Sequence, residues 1–221
     1  MVQITRRDGA TYEAHAKFAE VAENGVRGLA SEFLASRLAA LLNANIPPAE
    51  VVDLEPGMVI ALGDGSTPAP GVAVALQTIE PAVDVNATDA LLDIPGDRLA
   101  LLSVVQWWTE VGDRGHNMIR SRNQIYSIDF ASAFGPAWGG STVMPALVDD
   151  PLLVARLASE APAMRTAADQ LERVTDTNID IAVGEVPDEW MNSGERGGFC
   201  ARLKASRQVI ADQIRAKYPA P

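Results

Sequence analysis

The sequence predicts an α+β chain: a small β-rich part carrying one helix, then a larger helical part. Three observations predict it. Short apolar runs bounded by Gly, Pro, Asn and Asp dominate as far as Pro81. Apolar residues at helical spacing dominate after it. No internal repeat or low-complexity tract interrupts either part. The expected division is a small N-terminal lobe over 1–85 and a helical C-terminal lobe over 86–221, with the seam between Gln77 and Asp89.

Val2-Gln3-Ile4-Thr5 and the run from Tyr12 to Phe18 flank Asp8-Gly9, a dipeptide suited to a tight reversal, so the chain should open with a hairpin. A helix follows over Arg27–Asn43, its apolar stripe built from Val26, Ala30, Phe33, Leu34, Leu38, Leu41 and Leu42. It must stop before Pro47-Pro48, because proline has no N–H to continue the ladder. Strands are expected at Val51–Leu54, Met58–Leu62 and Val72–Leu76, with a loop over Gly63–Gly71. Beyond the seam, Leu99–Glu110 reads as a helix, extended segments surround Ile125–Ile128, and helices run over Pro151–Val174 and Glu195–Tyr218. The adjacent acids Asp149 and Asp150 suit the start of the first of these. Trp107, Trp108 and Trp190 are expected in the core.

Composition excludes several classes. The 221 residues carry 18 Lys+Arg against 29 Asp+Glu, a formal charge of −11, which is the wrong sign for gripping duplex phosphates, so no direct nucleic-acid partner is expected. The single Cys200 rules out an intrachain disulfide and a multi-cysteine zinc site, and reads as a small buried filler. The greasiest run, Leu99–Trp108, is interrupted by Ser103 and Gln106 and is shorter than a bilayer span, and the opening residues do not resemble a signal peptide. A soluble, cytoplasmic protein without a membrane partner is expected.

The informative chemistry lies in Trp107–Ile119 and Ile125–Phe134. An acid (Asp113), an amide (Asn117), a hairpin and a second acid (Asp129) behind an apolar strand follow in that order. Phosphoryl transfer uses such an order: one carboxylate orients the acceptor hydroxyl, while an amide and a second carboxylate hold Mg²⁺ on the phosphates. Magnesium keeps several waters, so two protein ligands suffice. Upstream, Lys17 ends the second hairpin strand and Glu32 lies fifteen residues on, in the helix. A strand lysine fixed by a helix glutamate is what the α- and β-phosphates require. Taken alone, Lys17 reads as an edge-strand lysine, Glu32 equally as a solvated glutamate or as an ion-pair partner, and the Asp113–Asn117 stretch as an ordinary turn.

In these residues the chain resembles the HipA-like kinase domains, relatives of the protein-kinase fold. The likeness covers nearly the whole chain in four blocks: Ala14–Phe18; Gly28–Leu42 with Ile46-Pro47-Pro48-Ala49; Trp108–Arg114 with Ile128–Phe134; and Val186–Trp190 with a last helix containing Leu203 and Arg207. It implies a kinase-like two-lobed fold with a reduced β-rich N-lobe, and an ATP- and Mg²⁺-dependent transfer to a protein Ser or Thr hydroxyl. By resemblance Asp113 is the catalytic acid/base, Asn117 and Asp129 are metal ligands, Lys17 holds phosphates, and Glu32 positions Lys17. The backbone around Ile79 and Glu80 would face adenine.

The chain departs from the kinase pattern in three places. The turn from Asp113 to Asn117 is one residue shorter than the kinase catalytic loop. The metal segment reads Asp-Phe-Ala where Asp-Phe-Gly is familiar, and no glycine-rich strand-turn-strand precedes Lys17. These departures motivate the alternative of a pseudokinase, a protein-binding or regulatory module that keeps the fold without turnover.

Overall fold

A computed structural model describes residues 1–6, 8–54, 68–85, 91–111, 117–141, 143–147 and 153–220. The expected hairpin consists of β1 (Val2–Thr5) and β2 (Thr11–Lys17). Its turn is set by Asp8, whose carboxylate accepts the Ala10 N–H at 3.0 Å, and by Gly9, at a φ of 86° that a side chain would oppose. Helix α1 (Val26–Leu42), β3 (Ala49–Leu54) and β4 (Gly71–Gln77) follow. The strand expected at Met58–Leu62 lies outside the described residues. All pairings are antiparallel and the order is β1-β2-β4-β3, so β2 is an inner strand. The sheet is curled, and its outer strands are tied together. Arg6, beyond β1, donates to Glu50 of β3, and Tyr12 Oη donates to the same carboxylate at 2.8 Å. Burial and the Glu50 hydrogen bond push the Tyr12 phenol up to about 12.

Helix α1 lies against this sheet with almost every face covered. At Gly28 a Cβ would sit 1.9 Å from the Glu23 carbonyl oxygen, so only glycine allows the chain to enter the helix so closely. Ser36 Oγ donates to the Pro47 carbonyl at 3.2 Å and accepts the Ala49 N–H at 3.0 Å, which clips the start of β3 onto the helix.

The second part is helical apart from a small sheet of β5 (Val83–Asp84), β6 (Met118–Ser121) and β7 (Gln124–Ser127). Helix α2 (Gly96–Trp108) runs through the core, buried at every residue from Leu99 to Trp108, and Trp190 is buried as expected. A one-turn α3 (Gly135–Trp138) follows the small sheet. The single helix expected over Pro151–Val174 is instead two, α4 (Val154–Ala158) and α5 (Ala161–Arg173). Pro162 in the first turn of α5 cannot extend a helix arriving from its N-terminal side. Helix α6 (Asp176–Gly184), unread in the sequence, starts at a capping box of Thr175 and Asn178. A second box, Asn192 with Glu195, starts α7 (Ser193–Lys217). Cys200 on α7 is half-buried, not the buried filler expected. Among the described residues no helix is long and apolar enough to cross a membrane.

One ion pair locks the end of α2 to α7. Arg202, 7% exposed, donates to both oxygens of Glu110, 11% exposed, at 2.8 and 2.7 Å, and to the Ser141 carbonyl at 2.7 Å. Glu110→Ala leaves a buried guanidinium without its anion and is expected to cost about 3 kcal/mol. The urea midpoint should fall accordingly, and Glu110→Leu combined with Arg202→Met should recover most of the loss.

Candidate functional site

Three side chains distant in sequence meet where the two parts face each other. Lys17 comes from the end of β2, Glu32 from the middle of α1, and Asp129 from the turn after β7. The Lys17 ammonium donates to Glu32 Oε1 and, at 2.7 Å, to Asp129 Oδ1. Glu32 is 2% exposed, so the solvated reading of this residue is overturned. The small-residue face beside it (Gly28, Ala35, Ser36, Ala39) is buried along with the leucine stripe. Strand β2 lies between β1 and β4, but β1 pairs only as far as Ala14, so Lys17 has a strand partner on the β4 side alone. What sets it apart from an edge lysine turned to solvent is its ion pairing with Glu32 and Asp129.

The turn carrying Asp129 is held from several sides. Asp129 and Phe134 both have φ of 60°, a left-handed conformation that for a non-glycine residue needs support. Phe130 and Phe134 are buried, and the Phe130 N–H donates to the Glu32 carboxylate. Asn24 Nδ2 donates to the Ala131 carbonyl at 3.2 Å, and Ser31 Oγ to the Ala133 carbonyl at 3.1 Å. Trp138 Nε1 in turn donates to Ser31 Oγ at 2.9 Å, and the Phe134 N–H donates to the Thr109 carbonyl at 2.7 Å. Helix α1 and the turn therefore form one unit.

Electrostatics follow from this geometry. Burial pushes the Glu32 carboxyl above the usual carboxylate range, even with Lys17 and the Phe130 N–H favouring its charge. Burial also raises Asp129, but less than the Lys17 hydrogen bond and charge lower it, so its carboxyl stays below its ordinary value. For Lys17 desolvation acts downward and is outweighed by the two carboxylates, which hold the ammonium above its ordinary value.

A cleft of about 430 Å³ opens from this cluster. Lys17, Glu32 and Asp129 line one end, and Ile46, Leu76, Ile79, Ile119 and Ile128 make the rest mostly apolar. At its far end the chain leaves β4. The Gln77 and Thr78 N–H groups are used, donating to the Pro48 and Glu13 carbonyls at 2.9 Å each. The backbone groups of Ile79 have no hydrogen-bond partner among the described residues. Glu80 is exposed and its side chain lies outside the lining. The Asn117 carbonyl accepts the Ile128 N–H at 2.9 Å, which places Asn117 beside the residue preceding Asp129. Asp113, with His116, falls outside the described residues. Among the described residues no three His, Cys, Asp or Glu side chains cluster as a metal site of their own. A larger hollow of about 550 Å³ lies in the curl of the sheet, but its principal polar feature is the Arg6–Glu50 pair, already satisfied.

Sequence reasoning did not single out His15, Ser31 or Trp138. Alternation along β2, which puts His15 on the face of Lys17, was the available signal for the first. The Ser31–Trp138 contact spans 107 residues and has no local signature.

A curled antiparallel sheet with one long helix against it, a helical second part and a lysine–glutamate–aspartate cluster in the cleft between them define a kinase-like fold. The chain belongs to the HipA-like kinase family, whose model matches residues 6–216. The crystal structure of the Helicobacter pylori proinflammatory kinase CtkA is similar with a TM-score of 0.56, over 98% of this chain and 90% of that chain, at 11% sequence identity. At that identity the likeness speaks for the fold. No protein with a curated description matches the chain.

Proposed function

We propose that this chain is an ATP- and Mg²⁺-dependent phosphotransferase acting on a Ser or Thr hydroxyl of a cytoplasmic protein. The observation that carries the reading is Lys17, clamped between buried Glu32 and half-exposed Asp129, at the polar end of a cleft that is otherwise apolar. The residues fit the nucleotide. Such a cleft suits a purine at its apolar end and phosphates at its cationic end, and the unpartnered Ile79 backbone offers a donor and an acceptor to the base. They also fit the metal. Lys17 takes one lone pair of Asp129 Oδ1, which leaves acceptor capacity on a carboxylate that stays ionised.

In this reading Lys17 holds the α- and β-phosphates, and Glu32 keeps its ammonium aimed into the cleft. Asp129 and Asn117 hold Mg²⁺, Asp113 orients the acceptor hydroxyl and takes its proton, and the backbone around Ile79 and Glu80 faces adenine. Bound ATP with Mg²⁺ supplies the transferable phosphoryl group and the neutralisation of its charge. The net charge of −11 favours an acceptor or partner that presents basic surface.

The test is transfer of labelled phosphate from ATP to basic protein acceptors. Incorporation by the wild type that disappears in Asp113→Ala is the expected result, and equal incorporation by both would sink the reading. The shortened Asp113–Asn117 turn favours a second reading, a module that binds nucleotide without turnover. That reading predicts a rise in melting temperature with ATP and Mg²⁺ but no incorporation.

A further inference from the structure

We propose that Gln106 is a positioning residue for the metal, pinning the foot of the β6–β7 hairpin to the core helix and so setting Asn117 relative to Asp129; this rests on the metal reading above. Between Leu99 and Trp108 only Ser103 and Gln106 interrupt the apolar run. Ser103 uses its hydroxyl within α2, donating to the Leu99 carbonyl at 2.9 Å. Gln106, 1% exposed, reaches out of the helix, and its Nε2 donates to Ser127 Oγ at 3.1 Å. Packing alone does not call for an amide at this depth. Methionine has a similar length and fills buried space with no donor that must find a partner. The reason for the amide lies in what it holds.

Ser127 is the last residue of β7, fully buried, and stands at the foot of the hairpin opposite Met118. Its N–H donates to the Asn45 carbonyl at 3.1 Å, and its hydroxyl lies 3.5 Å from the Asn117 carbonyl. That carbonyl also accepts the Ile128 N–H at 2.9 Å. Asn117 and Asp129 therefore flank the foot of one hairpin, the first directly before β6 and the second two residues beyond Ser127. They are anchored differently. Asp129 is held by Lys17 and by the turn around Phe130, which leans on α1 through Glu32. Asn117 follows the hairpin, whose foot Gln106 ties to α2. An octahedral Mg²⁺ site with bonds of about 2.0–2.1 Å tolerates little change in the separation of its ligands, so a loosened foot should be felt by the metal first.

The experiment is calorimetric titration of ATP, with Mg²⁺ and without metal, into the wild type, Gln106→Met, Ser127→Ala and the double variant. Residues that orient metal ligands are worth about ten- to a hundredfold in metal affinity. Gln106→Met should leave metal-free ATP binding near that of the wild type and cut the gain from Mg²⁺ by about tenfold or more. The double variant should lose no more of that gain than Ser127→Ala alone, because Gln106 acts through Ser127. Equal losses with and without the metal overturn the proposal, since they mark a general change of the cleft. An undiminished Mg²⁺ gain in Gln106→Met overturns it too, as do losses that multiply in the double variant. Should Gln106→Met not fold, Ser127→Ala decides alone: a selective loss of the Mg²⁺ gain supports the proposal, and a full gain or an unselective loss overturns it. A wild type that binds ATP with no gain from Mg²⁺ removes the metal reading itself, whereas a normal wild-type gain with an indifferent Gln106→Met removes only the role of Gln106.

Discussion

Lys17→Met is expected to lower stability by about 3 kcal/mol and to abolish the response of the melting temperature to ATP. The two effects share one cause. Glu32 is 2% exposed and Lys17 27%, so the pair is largely removed from water. Deleting the ammonium leaves a carboxylate whose remaining support is the Phe130 N–H. Removing both charges with Lys17→Met and Glu32→Gln should recover much of the stability and none of the nucleotide response, which separates the structural role of the pair from its ligand role. The pH dependence has a definite sign. Lys17 is held above its unfolded value, so its contribution is complete below about pH 10.4 and is lost as pH rises through the higher folded value. Glu32 behaves oppositely to an ordinary paired acid. Its folded value is raised, so burying it becomes a cost as pH climbs past about 4.3, and Lys17 offsets that cost. The stability difference between the wild type and Lys17→Met should therefore close at strongly alkaline pH. A difference that persisted there would assign the loss to packing of the lysine stem.

Much of this was legible in the residues. The Asp-Gly hairpin and the helix ending before Pro47 were set by turn chemistry and by the missing N–H of proline, and both lie close to where the sequence put them. The pairing of Lys17 with Glu32 was suggested by the order of elements, since a strand lysine and a helix glutamate fifteen residues on can meet only if the helix crosses back over the strand. The burial of Glu32 was not legible. A helical wheel treats Gly28, Ala35 and Ala39 as a neutral face, although small side chains are what let a helix come close to a neighbour. Sheet order was equally hidden. Strand β2 is inner because β4 pairs with it after the whole of α1 and β3 has intervened, a long-range choice with no local mark. The break between α4 and α5 was missed because the amphipathic pattern runs across Ser159 and Glu160 while Pro162 interrupts the hydrogen-bond ladder.

Asp129→Asn is expected to leave the fold nearly intact while removing the dependence of nucleotide binding on Mg²⁺. Asp129 sits at a φ of 60°, and asparagine is the residue besides glycine that adopts this conformation most readily, so the turn should survive the change. The amide oxygen can still accept from Lys17. What disappears is an ion pair whose acid is 46% exposed, which at that exposure contributes at most about 1 kcal/mol. Metal binding responds differently, because Asn117 already offers a neutral amide oxygen and Asp129 supplies the one anionic protein oxygen of the pair, so Asp129→Asn leaves Mg²⁺ without a protein carboxylate. In the wild type, ATP with Mg²⁺ should raise the melting temperature beyond ATP alone. In Asp129→Asn the two increments should coincide, with the ligand-free melting temperature close to that of the wild type. Asp129→Ala is the contrasting case, since alanine is strained at positive φ and leaves Lys17 with Glu32 alone, so it should lose stability and the metal increment together. A Mg²⁺ increment undiminished in Asp129→Asn would reduce this carboxylate to a counter-ion for Lys17 and move the metal to other oxygens.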